Sequence, residues 1–132
     1  MSDAGVLHLL LPAVPDSVGA ARNEATRHAL AAGFPDGELD RVRLAVSEAV
    51  TNAVLHAYAG PGSVHLRVEA EAWRVRVVVR DEGRGRAGAD PATASGGFGL
   101  GLMRALADEL RVEDAVPGTR VVLLFLASRR SR

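Results

Sequence analysis

Glu48 and Asn52 stand four residues apart, so any helix that contains them shows both on one face. An amide oxygen can ligate a hard cation such as Mg²⁺, and a carboxylate one turn away can take up a proton. The same pair also suits a plain solvated face. Further along, Asp81-Glu82-Gly83-Arg84-Gly85 sets a carboxylate beside two glycines. An Asp at a strand end can be half-buried and accept a hydrogen bond from a neutral donor such as an exocyclic amine. Glycines there let the backbone approach a flat ligand closely, although Asp and Gly after a strand are also ordinary turn formers. The third element is Gly96-Gly97-Phe98-Gly99-Leu100-Gly101. Bare N–H groups leading into a helix N-terminus favour a phosphate. A dinucleotide fingerprint would need these glycines directly after the first strand of a βαβ unit, and a long loop intervenes instead.

Composition removes several competing chemistries. The 132 residues fit one domain, and 48% hydrophobic with 24% charged residues describes a globular protein. Sixteen basic against sixteen acidic residues give a formal net charge of zero, so no broad cationic field is available for nucleic acid. Every basic residue is Arg, which excludes Schiff-base chemistry and a P-loop lysine. With no cysteine there can be no disulfide, thiolate nucleophile or cysteine zinc site. The longest mainly apolar run, Val121 to Ala127, is too short for a bilayer, and the N-terminus lacks the pattern of a signal peptide; a cytoplasmic location without membrane contact is the default expectation.

The elements that must position these groups follow from periodicity. Val6 to Leu11 reads as a strand, buried or at a sheet edge, ended by Pro12. Asp16 or Ser17 is expected to cap a helix with Val18, Ala21, Ala25, Ala29 and Leu30 inward, stopped by Gly33. A second helix starts at Asp36 and runs to about Tyr58, its core stripe being Leu39, Val42, Val46, Val50, Ala53 and Ala57. Ser63 to Glu69 and Arg74 to Arg80 alternate as a hairpin connected by Ala70 to Trp73. Half of the fourteen glycines fall in the stretch from residue 81 to 101, where no apolar period survives; a loop of that length in a small domain is usually functional. Leu102, Met103, Leu106 and Leu110 predict a third helix, followed by a hairpin of Arg111 to Val116 and Thr119 to Leu126 about Pro117-Gly118. Helices do not alternate with every strand, so the expected fold class is α+β: a two-layer sandwich of three main helices on a mostly antiparallel mixed sheet.

In this order, Glu48-Ala49-Val50-Thr51-Asn52-Ala53, Asp81 to Gly85 and Gly97 to Gly101 resemble the N, G1 and G2 boxes of the GHKL superfamily, whose ATP-binding domain is the Bergerat fold. Gly118-Thr119 fits the Thr found near the adenine on a late strand. With His56-Ala57-Tyr58 following, the sequence is most similar to the small bacterial anti-sigma factor serine kinases, and the likeness covers nearly the whole chain. The resemblance implies ATP and Mg²⁺ as cofactors. It implies Glu48 as general base toward a partner's serine, Asn52 as Mg²⁺ ligand, Asp81 on the adenine amino group and Thr119 supporting it through water. Gly83 and Gly85 would shape the adenine pocket, while Gly97, Gly99, Leu100 and Gly101 would line the phosphates under a lid of residues 86–98. Arg84 or Arg86 is implied near the γ-phosphate, His56 as a possible supporting group, and Arg22 and Arg27 as possible partner contacts. His8, His28 and His65 are expected on the surface. Residues 1–5 and 128–132 are expected to be tails of a single domain. The implied partners are an anti-sigma factor antagonist as substrate, a sigma factor, and a second copy in a homodimer. An ATP-binding partner-switching module without significant kinase activity is the alternative.

Overall fold

The computed structural model describes residues 5–56, 62–83, 100–115 and 117–128. The elements are β1 (Gly5–Pro12), α1 (Asp16–Ala31), α2 (Asp36–His56), β2 (Ser63–Glu71), β3 (Arg74–Asp81), α3 (Leu100–Leu106), β4 (Glu109–Asp114) and β5 (Thr119–Leu126). The strands form a five-stranded sheet in the order β1-β2-β3-β5-β4. The fold is α+β as expected, and every strand pairing is antiparallel, so the described sheet is not mixed. The reason is the β4–β5 hairpin, which reverses the chain before β5 meets β3 and sets Thr119 opposite Asp81.

Alternation along the strands builds the core. Val64, Leu66 and Val68 of β2, Val75, Val77 and Val79 of β3, and Leu123 and Phe125 of β5 are all buried. They face the helices, as the period-two pattern requires. From α2 the core takes Leu39, Val42, Val46, Val50 and Ala53, together with Ala45 and Ala49, which widen the predicted stripe. Ala57 and Tyr58 lie outside the described residues. Among the described residues no helix is long and apolar enough to cross a membrane.

Four local expectations are corrected. Leu30 is 55% exposed, because the α1 ridge against α2 is the strict four-residue series Ala21, Ala25, Ala29 and one further residue turns the side chain by about 100°. Pro15 occupies the N-cap of α1 without a side-chain cap; the Ser17 hydroxyl instead donates to the Pro12 carbonyl at 2.6 Å. The first hairpin turns on Ala72 and Trp73 alone, with Trp73 at φ 67°. That conformation is held by bonds from the Trp73 N–H to Ala32 O and from the Ala127 N–H to Trp73 O. Finally, Leu110 belongs to β4, since α3 ends at Leu106 and the Asp108 N–H already donates to Leu124 O. Gly5 begins β1, and the Ser128 N–H donates to the Glu38 carboxylate.

Candidate nucleotide site

Asp81 ends β3, the middle strand, opposite Thr119 at the start of β5. It is 7% exposed. Its carboxylate accepts the Gly83 N–H at 3.0 Å and a backbone bond from Thr119. Burial pushes this carboxyl above its ordinary value; the amides of Gly83 and Thr119, then the Arg80 charge, work against that. A carboxylate has about four lone-pair sites, so the two backbone donors leave room for a further neutral N–H. An adenine amino group supplies a donor of that kind.

Gly118 closes the other side. It is buried at φ +100°, and a Cβ there would lie 1.9 Å from Asp81 O and 2.8 Å from Glu82 Cα. Only glycine allows the β4–β5 turn this close to the end of β3. The sequence marked Gly118 as part of a turn; its contact with Asp81 is a long-range fact that no local pattern carries.

Arg41, Glu48 and Asn52 lie two turns and then one turn apart on α2, on a single stripe. Arg41 fixes which way that stripe faces. It donates to Leu106 O at 3.1 Å, to Asp108 Oδ2 at 3.1 Å and to Leu126 O at 2.6 Å, so the flank with Glu48 and Asn52 is turned toward α3 and the β4–β5 side of the sheet. Leu126 ends the strand that Thr119 begins, a separation of about 23 Å at strand spacing. From Arg41 to Asn52 the helix advances about 16 Å and stays buried on the sheet as far as Ala53. The C-terminal turns of α2 thus travel toward the end of the sheet that holds Asp81 and Thr119. Both Glu48 and Asn52 are half-buried.

On α3, Met103 is fully buried, Leu100 packs half-buried against the core and Gly101 is exposed with open space where a Cβ would be. Nothing among the described atoms therefore demands glycine at 101. Gly85, Gly97, Gly99, Arg84, Arg86 and the whole of the expected lid lie outside the described residues, as does the His56 side chain. On α1, Arg27 is exposed and ion-paired with Glu24, and Arg22 is half-buried. His8 is exposed. His28 Nδ1 lies 2.8 Å from Glu24 O, and His65 Nε2 lies 3.1 Å from Glu82 Oε2. Among the described residues no three His, Asp or Glu side chains converge as a metal cage. A Mg²⁺ held mostly by phosphate and water would need no such cage, and a single amide oxygen such as that of Asn52 could complete its coordination.

Residues 11–125 match the histidine kinase-like ATPase domain family. The chain is 33% identical to the serine-protein kinase RsbW of Bacillus subtilis over 98% of its own length and 91% of that protein's. It is 38% identical to the anti-sigma F factor of Geobacillus thermodenitrificans over 65% of this chain and 68% of the other. A crystal structure of the RsbU and RsbW domains of a Mycobacterium tuberculosis protein superposes with a TM-score of 0.74 and 27% identity, covering 97% of this chain and 34% of that longer one. A blue-light activated histidine kinase from Erythrobacter litoralis gives a TM-score of 0.63 at 25% identity, covering 89% of this chain and 42% of the kinase. With a family match over most of its length, and a relative named serine-protein kinase that is 33% identical over nearly the whole chain, the chain belongs to the histidine kinase-like ATPase domain family.

Proposed function

We propose that the protein is an anti-sigma factor and a Mg-ATP-dependent serine kinase, which phosphorylates a serine of an anti-sigma factor antagonist and binds a sigma factor. The observation that carries this reading is the buried Asp81 carboxylate at the end of the central strand, held by two backbone amides with acceptor capacity left over. Asp81 would take the adenine amino group, with Thr119 supporting it through water and Gly83 and Gly85 shaping the pocket. Asn52 would give one oxygen to Mg²⁺, whose charge, when bound, would neutralise the phosphates. Gly97, Gly99, Leu100 and Gly101 would line the phosphates beneath residues 86–98, with Arg84 or Arg86 supplying positive charge.

Glu48 would act as general base. As the incoming serine oxygen bonds to the γ-phosphorus and the bond to the β–γ bridging oxygen breaks, the Glu48 carboxylate takes the hydroxyl proton and ADP leaves. Little more than position and charge is needed for such a transfer. Arg22 and Arg27 are assigned to partner contact, and the working assembly to a cytoplasmic homodimer. The test is Glu48→Gln, assayed with the antagonist protein and radiolabelled ATP. Phosphoserine formation is expected to fall by roughly a hundredfold or more, with ATP affinity unchanged. Sustained phosphorylation by the variant would remove Glu48 from the chemistry; loss of transfer with intact control of the sigma factor would favour the partner-switching module.

A further inference from the structure

Arg41 shares the α2 stripe of Glu48 and Asn52, and it ties that helix to α3, to β5 and to Asp108 in the connection between α3 and β4. Its Nη1 donates to Leu106 O and to Asp108 Oδ2, each at 3.1 Å, and its Nη2 to Leu126 O at 2.6 Å and to Glu38 Oε1 at 3.1 Å. The guanidinium carbon sits 5.7 Å from the centre of the Phe125 ring. Leu106 ends α3, so its carbonyl is one of the acceptors a helix C-terminus leaves open, and a cation there also meets the negative end of the helix dipole. Asp108 is fixed in turn by the Leu126 N–H at 2.7 Å. Four acceptors around one planar group require the arginine fork, which an ammonium cannot copy.

We propose that Arg41 is a positioning residue for phosphoryl transfer: it sets the separation between α3 and the Glu48–Asn52 stripe, and so how the triphosphate is held, without touching nucleotide. This rests on the kinase reading above. The helix it clamps is short and buries only Met103 completely, so apolar packing alone holds it weakly. A shift of about 1 Å at such a position is enough to impair a transfer reaction.

The experiment compares the wild-type chain with Arg41→Lys and Arg41→Met by titration with ATP and with AMP in Mg²⁺, alongside thermal unfolding. AMP lacks the β- and γ-phosphates and so reports the adenosine end, where Asp81 is untouched. Both variants should bind AMP as the wild type does and lose about tenfold of the preference for ATP over AMP, with no rescue by lysine. Variants that keep the wild-type ATP-to-AMP ratio, however far their melting temperatures fall, overturn the proposal and leave Arg41 a structural brace. A wild-type chain that binds neither nucleotide overturns the kinase reading itself, and the positioning role falls with it.

Discussion

At Asp81 burial and the proposed adenine contact pull in opposite directions. Removal from water raises the carboxyl above its ordinary value, with only the Gly83 and Thr119 amides and the Arg80 charge to offset it. The folded chain therefore holds this proton at a pH where the unfolded chain has lost it. Its contribution to stability is complete below the unfolded value and is lost as pH rises through the raised folded value. Adenine recognition needs the ionised acceptor, so the two dependences have opposite sign. ATP affinity should fall on acidification at a higher pH than an ordinary aspartate would dictate, while the unliganded fold gains from the same proton. Asp81→Asn should remove this pH dependence and weaken ATP by roughly 1.5–3 kcal/mol, ten- to more than a hundredfold in Kd. Guanine presents a carbonyl where adenine presents its amine, so GTP should bind the wild type poorly and the variant no worse. Titrations at several pH values read both effects; an ATP affinity indifferent to pH and to the Asn variant would take Asp81 out of the site.

The elements divide the sheet into two ends with different work. Gly33 and Trp73 lie at the end remote from Asp81. Gly33 has φ +101°, and a Cβ there would come 3.1 Å from the Trp73 ring. Gly118, at the site end, has φ +100° and backbone rather than a side chain in the way. Gly33→Ala and Gly118→Ala should each cost more than about 1 kcal/mol of stability in denaturant unfolding. Only the second should also impair ATP binding, because it alone displaces the Asp81 backbone; equal effects on binding would mean that the ends are not independent. The elements themselves were largely legible in the sequence. Period-two valines in β2 and β3 and the Leu39-to-Ala53 stripe of α2 are local signals, and local packing honours them. The end of α3 was not legible, because Leu110 keeps helical spacing while its backbone is already committed to β4. Arg41 was silent for a similar reason: its carbonyl acceptors lie 65 and 85 residues away in the chain. Within the candidate site, Glu48, Asn52 and Asp81 were named from residue type and spacing, whereas the need for glycine at 118 arises only when two distant strands meet.

For the molecule as a whole, nucleotide binding should appear as stability, because a ligand that binds only the folded chain stabilises it by mass action. At a concentration a hundred times Kd the gain is about 2.7 kcal/mol, which for a chain of 132 residues raises the melting temperature by about 10 °C. Sheet and helices share one core, so the gain should register in a single transition rather than in one part of the molecule. Asp81→Asn, which would weaken the proposed adenine contact, should lose most of that shift. Glu48→Gln should keep all of it, since a general base acts on the incoming hydroxyl and not on bound nucleotide. Thermal scans of the three proteins, with Mg²⁺ and graded ATP, separate binding from chemistry without any knowledge of the partner. If Glu48→Gln loses the shift as well, Glu48 is a binding residue, and the proton must be taken by another group or by none. If the wild type shows no shift at millimolar ATP, the acceptor at Asp81 recognises something other than adenine.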